Sequence, residues 1–369
     1  MSAHTPKARP SSPLPAVLQP RGRGAKSNAA GRYESETREP FDDGWNDQDR
    51  KPPKLATRLV KDGSRTIISK NDSPDIGFDR SINPYRGCEH GCVYCYARPT
   101  HAYWGYSAGI DFESVILFKP GAAGLLRKAL SKPGYQAEPI MIGAITDPYQ
   151  PMERRLQITR SLLEVFVQTR HPMKIITKSA SITRDIDLLA ELAEQKLAGA
   201  AISLTTLDRR LSRAMEPRAS SPERRLDAIE ALAKAGIPVT VMTAPVIPGL
   251  TDHELENLLQ AAANVGARSA GYVLLRLPLE VRDLFQQWLK EERPAAASKI
   301  MSLIRQTRGG RDYDPTFGRR GVGEGPVAEL IAKRFKTALR RLKLDTPREP
   351  LRTDLFRPPG EDARQLSLL

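Results

Sequence analysis

From Ile82 onward the chain alternates two patterns of hydrophobic position: short apolar runs rich in β-branched residues, and longer stretches in which apolar residues return every three or four positions. The short runs "SVILF", "IMIGAI", "MKIIT", "AAISLT", "PVTVMTA" and "GYVLLRL" predict strands. Between them, "GAAGLLRKAL", "RLQITRSLLEVFVQ", "TRDIDLLAELAEQ", "SPERRLDAIEALAKAG", "TDHELENLLQAAANVG" and "LEVRDLFQQWLK" predict helices. Thr183, Ser221 and Thr251 stand at helix starts, and Gly236 and Gly266 follow helical runs as stops. Strand then helix, repeated about six times, predicts α/β architecture with parallel strands joined by right-handed crossovers, closed as a barrel or open as a doubly wound sheet. Either form gathers function at the C-terminal ends of the strands. That rule singles out Thr146 and Asp147, Lys178, Ser203 and Thr205, and Arg276.

The flanks follow different rules. Residues 1–60 are rich in Pro, Ser, Gly and Arg without an apolar period, and read as a disordered basic tail. Residues 291–345 form a basic helical extension in which a Gly/Arg-rich loop, "RGGRDYDPTFGRRGVGEG", precedes an amphipathic helix. Val327, Leu330, Ile331, Phe335, Ala338 and Leu342 make one face of that helix, and Lys333, Lys336, Arg340 and Lys343 another. Residues 346–369 read as a flexible C-terminal tail. The core lies between, over 75–290. A hydrophobic content of 40% suits a chain of 369 residues with a sizeable core. No apolar run approaches a membrane span and no secretory signal opens the sequence, so the expectation is a cytoplasmic protein with no membrane partner. A net charge of +14 suits a polyanion such as nucleic acid, and equally an ordinary solubilising surface.

The chemistry concentrates in "GCEHGCVYC", Gly87 to Cys95, which holds all three cysteines of the chain, Cys88, Cys92 and Cys95. Three thiols within eight residues cannot form a disulfide framework. A structural zinc site draws four ligands, usually as two separated pairs, and no second pair exists here. Three inert buried cysteines fit poorly with the polar and glycine neighbours Gly87, Glu89, His90 and Gly91. The remaining reading is a [4Fe-4S] cube held by three thiolates, with one iron left for an exchangeable small molecule.

The spacing C-x3-C-x2-C, with aromatic Tyr94 before the last cysteine, resembles the signature of the radical S-adenosylmethionine superfamily. The resemblance implies a partial (β/α)6 barrel of the TIM type, with the cluster loop after the first strand. It also implies a cluster whose open iron is chelated by S-adenosylmethionine. One electron, from a donor such as flavodoxin or ferredoxin, then cleaves a carbon–sulfur bond of that molecule to give a radical that abstracts hydrogen from a substrate. "GFDRSINPYRGCEHGCVYCYARP", "TDPYQPME", "TKS", "ISLTTLD" and "APVIPGLTD" are similar to the branch related to spore photoproduct lyase, which repairs a thymine dimer in DNA. By that similarity Thr146, Lys178 and Ser203 contact S-adenosylmethionine, the backbone near Tyr94 meets its adenine, and Lys178 and Arg218 are the cations for its carboxylate.

One departure matters: the lyase's hydrogen-donor cysteine aligns with Ala144, which leaves Tyr96, Tyr103 and Tyr149 as nearby alternatives. The resulting expectation is a radical enzyme acting on nucleic acid, in DNA repair or base modification. The alternatives are a radical enzyme of peptides or small metabolites, and a non-enzymatic iron–sulfur or zinc protein. A last feature is "QLSLL", Gln365 to Leu369, which resembles the short peptide by which bacterial repair proteins dock on the DNA sliding clamp.

Overall fold

The computed structural model describes residues 22–34, 55–346 and 349–360. Its strands are β1 (Arg58–Lys61), β2 (Ile68–Lys70), β3 (Arg80–Ile82), β4 (Tyr85–Arg86), β5 (Val115–Phe118), β6 (Ile140–Ile142), β7 (Met173–Thr177), β8 (Ala198–Ser203), β9 (Val239–Val246) and β10 (Ser269–Leu274). Among the described residues, β3, β6, β7, β8, β9 and β10 form a parallel sheet in that spatial order, and β2 pairs antiparallel with β3 at one edge. The two edges, β2 and β10, do not pair with each other, so the barrel is partial. Along the strands, residues alternate between full burial under helices and half-burial toward the lumen. Lys174, Ile176, Gly199, Ala201, Thr240 and Met242 belong to the lumen set, and a parallel sheet covered on one face requires this division.

The helices are α1 (Asp111–Ser114), α2 (Ala122–Leu130), α3 (Glu153–Leu156), α4 (Ile158–Thr169), α5 (Ile186–Glu194), α6 (Arg209–Met215), α7 (Pro222–Lys234), α8 (Leu255–Asn264), α9 (Glu280–Glu292), α10 (Ala297–Gln306) and α11 (Gly325–Leu342). Gly236 and Gly266 end α7 and α8 at positive φ (79° and 96°), as their positions predict. Ser221 caps α7 by accepting from the Arg224 N–H. Thr183 and Thr251 do not cap: the first donates to the Ala180 carbonyl within a 3-10 turn, and the second accepts from the Ile247 N–H. The run "RLQITRSLLEVFVQ" is broken into α3 and α4 at Gln157, whose φ is 50°. α11 buries Ala328, Ile331, Phe335 and Ala338 and ties back to α8 through Arg334 and Glu256, whereas Leu330 of the expected apolar face points to solvent.

Two further expectations change. "SVILF" becomes β5, but it lies outside the parallel sheet, paired parallel with β1 and antiparallel with β4. The first barrel strand is instead the three-residue β3, too short to show as an apolar run. The tail expected over 1–60 does not hold throughout. Residues 22–34 cross the cluster loop with Arg23, Ala25 and Ser27 buried, and 58–61 form β1. This segment docks through backbone and charge rather than an apolar face: Gly24 and Ala25 donate to the Glu113 carboxylate at 2.9 and 2.8 Å. A Cβ at Gly24 would lie 1.8 Å from the Gly91 carbonyl oxygen, so only glycine permits the crossing. Gln365 to Leu369 lie outside the described residues. Among those described, no helix is long and apolar enough to cross a membrane.

Candidate functional site

The loop from Gly87 to Cys95 leaves β4 and returns into a 3-10 helix, Arg98–Trp104. Gly87 and Gly91 adopt positive φ (76° and 68°). A Cβ on either would enter its neighbours, the Phe112 carbonyl oxygen at 2.9 Å and the Glu113 carboxylate at 2.6 Å. One buried ion pair and one half-exposed pair brace the loop. Arg98 donates to the Gly91 and Cys92 carbonyls (3.2 and 2.9 Å), to Ala108 and Gly109, and to Glu113 at 2.5 Å, with both side chains fully buried. Glu89 accepts from Met152 N–H at 2.8 Å, from the Thr57 hydroxyl at 2.5 Å, and from Arg218 at 3.2 Å. Removing Arg98 or Glu113, or the cation beside Glu89, leaves an uncompensated buried charge, so the loop's course is strongly held.

Cys88, Cys92 and Cys95 line one cavity of about 1250 Å³ that runs through the barrel lumen and reaches the C-terminal ends of the strands. Burial pushes all three thiols up, Cys88 and Cys92 well above the ordinary range, and nearby carboxylates add to this for both. Thiolates at these positions therefore need strong cations beside them, which iron supplies. Among the described residues, no three His, Cys, Asp or Glu side chains are gathered as a single metal ion requires. Three thiols spread around a common space fit a cubane, in which each binds its own iron, better than one zinc ion.

The strand ends deliver the other expected residues. Thr146, Lys178, Ser203 and Tyr94 line the same cavity. Thr146 donates its hydroxyl to the Tyr85 carbonyl at 2.7 Å. Lys178 Nζ lies 3.3 Å from Thr205, 3.2 Å from the Ala244 carbonyl and 3.3 Å from Glu216, and burial lowers its pKa to about 8. Arg218 departs from the expectation: its guanidinium is on Glu89, and it is absent from the cavity wall. Of the three tyrosines, Tyr149 is buried and donates to Asp185, and Tyr103 is 69% exposed away from the cavity. Tyr96 lines the cavity, and its hydroxyl donates to the carbonyl of Ala144.

Sequence reasoning missed Glu216, the fully buried hub beneath this wall. It accepts from the Tyr94 hydroxyl, from Thr205 at 2.8 Å and from Arg225, and it pairs with Lys178. It also did not find Asp147 facing His90, with Nδ1 3.3 Å from Oδ2. Burial raises the Asp147 carboxyl, but His90, the Thr177 hydroxyl and the Lys178 N–H outweigh it and hold the pKa below the usual value. The only sequence signals were a lone acid in "AMEPR" and the placement of Asp147 after a strand.

The family model of the Radical SAM superfamily matches residues 82–262, which span the cysteine loop and the four parallel strands β6 to β9. An uncharacterised protein of Mycobacterium tuberculosis is 37% identical over 260 residues, 70% of this chain and 75% of that protein. A spore photoproduct lyase variant shares the fold at a TM-score of 0.53 and 16% identity, covering 78% of this chain and 80% of that one. Another variant of that lyase, solved with bound AdoMet and dinucleoside spore photoproduct, aligns at a TM-score of 0.50 and 17% identity over 77% and 78% of the two chains. Three cysteines converging on the strand-end cavity of a partial barrel, with this match over them, mean that the chain belongs to the radical SAM superfamily.

Proposed function

We propose that this protein is a radical SAM enzyme that acts on nucleic acid, abstracting hydrogen from a nucleotide. The observation that carries the reading is the single cavity. It is lined by the three cysteines with Thr146, Lys178 and Ser203, and also by Tyr96, Arg276 and Arg320. Arg276 beside the Tyr96 ring offers a cation and an aromatic face, which suit a polyanion with flat bases. The lyase crystallised with a dinucleoside photoproduct shares the fold and supports the same substrate class.

Superfamily members use a [4Fe-4S] cluster and S-adenosylmethionine, which together supply one-electron bond cleavage and a hydrogen-abstracting radical. The chain's own residues hold and shield that chemistry. Cys88, Cys92 and Cys95 are the thiolate ligands. Lys178 offers a cation for the methionine carboxylate from a wall held by Glu216, and Thr146 and Ser203 offer polar contacts beside it. Asp147 fixes the loop's inner turn through His90 and the Lys178 N–H, at 2.7 Å for the latter. Tyr96 is the candidate for returning a hydrogen: of the three tyrosines named above it is the one that lines the cavity, with its hydroxyl on the Ala144 carbonyl.

The test is anaerobic reconstitution followed by reduction with S-adenosylmethionine present, reading deoxyadenosine formation and deuterium transfer from labelled oligonucleotides. Cleavage together with deuterium in deoxyadenosine supports the reading. Cleavage with no deuterium from DNA or RNA, but transfer from a peptide or metabolite, moves the substrate class; no cleavage at all removes the enzymatic reading.

A further inference from the structure

Arg276 follows β10 at the C-terminal end of the barrel and lines the cavity. Its guanidinium carbon lies 5.1 Å from the centre of the Tyr96 ring, and its Nη2 is 3.4 Å from the Tyr313 hydroxyl. Its Nε is buried with no hydrogen-bond partner. Among the described residues no carboxylate forms an ion pair with it. Arg276 is half-buried, and the fully buried Arg98 and Arg225 near the cysteine loop are better satisfied: Arg98 reaches five acceptors, and Arg225 binds Glu216 and the carbonyls of Ser203 and Ser220; Arg308, buried near Arg276, likewise leaves its Nε unmet. The acid of this region, Asp75, is engaged by Arg320 and by the Gly318 N–H at 2.6 Å.

A guanidinium carries five N–H donors, and Arg276 uses one of them, at long range. The residue lines the cavity with its remaining donors uncommitted to protein acceptors, so an incoming acceptor can take them up. The fork is already positioned. Tyr96 supports its face and Tyr313 holds one end, so little freedom is lost when two oxygens of an oxyanion bind side by side. Tyr96 follows Cys95 directly, so an anion on Arg276 places the rest of its molecule toward the cluster end of the cavity. Arg320, paired with Asp75, also lines the cavity and stacks at 4.4 Å over Phe317, which is 54% exposed, so the Gly/Arg-rich loop brings a second arginine–aromatic pair to this side of the cavity.

We propose that Arg276 binds a backbone phosphate of the substrate strand next to the nucleotide that reacts. The inference rests on the nucleic-acid reading above and adds the anchoring residue to it.

The experiment uses cluster-loaded, S-adenosylmethionine-bound protein under anaerobic conditions and a fluorescein-labelled eight-nucleotide single strand, read by anisotropy across a salt series. Arg276→Gln is expected to weaken binding about tenfold and to reduce the salt slope by about one phosphate's worth. Arg276→Lys, which keeps the charge without the fork, is expected to fall between. S-adenosylmethionine affinity stays unchanged in both. Strands carrying one neutral methylphosphonate, moved along the linkages, test the contact on the wild-type protein. One position is expected to weaken wild-type binding by the same factor and to cost Arg276→Gln nothing more. Wild-type binding with an indifferent Arg276→Gln overturns this inference alone. So does a loss of S-adenosylmethionine affinity in place of strand affinity, or a scan in which every linkage adds to the substitution. A wild-type protein that binds no strand at low salt overturns both this inference and the nucleic-acid reading.

Discussion

Glu216→Gln tests whether one buried carboxylate holds the inner wall of the cavity. The substitution keeps size and shape but removes the charge that faces Arg225, 1% exposed at its side chain, and Lys178, 16% exposed. It also replaces an oxygen that accepts from Tyr94 and Thr205 with a group that must donate on one side. Leaving a buried cation without its partner costs about 3–5 kcal/mol. For a chain of this size, with an unfolding entropy of about 2.1 cal/mol/K per residue, that corresponds to a fall of roughly 4–6 °C in the thermal midpoint. The assay is scanning calorimetry on cluster-loaded protein at one fixed scan rate, since a large protein can unfold irreversibly. Glu216→Gln combined with Arg225→Met removes both charges and is expected to recover part of the loss. A single variant that unfolds within about 1 °C of wild type, or a double variant that adds the two losses in full, would refute the claim that this carboxylate holds the two cations.

Replacing Cys88, Cys92 or Cys95 by Ala is expected to abolish the four-iron absorbance and S-adenosylmethionine cleavage to a similar degree, which spectroscopy and iron counting check. Lys178→Ala is expected to weaken S-adenosylmethionine binding by roughly ten- to a hundredfold while the cluster remains. Arg218→Ala leaves that affinity unchanged and lowers thermal stability, because its partner is Glu89; calorimetric titration separates the two. Gly24→Ala drives a methyl group into the Gly91 carbonyl and is expected to release residues 22–34 from the cluster loop, read as faster proteolysis there and faster loss of cluster absorbance in air. His101 and His171 are buried, and burial lowers both pKa values to about 4. The unfolded chain then binds protons near pH 6.5 that the folded one refuses. Their contribution is complete above pH 6.5 and is lost as pH falls toward 4, by about 1 kcal/mol each between pH 7 and 5.5. Denaturant midpoints over that interval check the sign, and a His171→Asn variant with the wild-type slope would contradict it.

What the sequence by itself determined is whatever depends on neighbours along the chain. The spacing of Cys88, Cys92 and Cys95 carried the cluster loop, because three ligands to one compact group can be supplied by a single turn. Apolar periods carried β6 to β10 and the helices α4, α5, α7 and α8 between them, because burial of one face repeats with the geometry of the element, while the seven-residue α6 between β8 and β9 was too short to show a period. The strand-end rule then placed Thr146, Lys178, Ser203 and Arg276 on one cavity. Tertiary structure decided the partners. Arg98 finds Glu113 fifteen residues on, Tyr94 meets Glu216 at a separation of 122, and Arg218 turns to Glu89 rather than to the cavity. Charged side chains have no periodic signature, and which of them is buried follows from packing between distant segments. The segment around Gly24 was illegible for the opposite reason. It docks through backbone groups and the absence of a side chain, so its composition reads as a free tail. The assignment of β5 to a separate sheet has the same origin, since an apolar run says that a strand is buried and leaves its neighbour to be chosen by the fold.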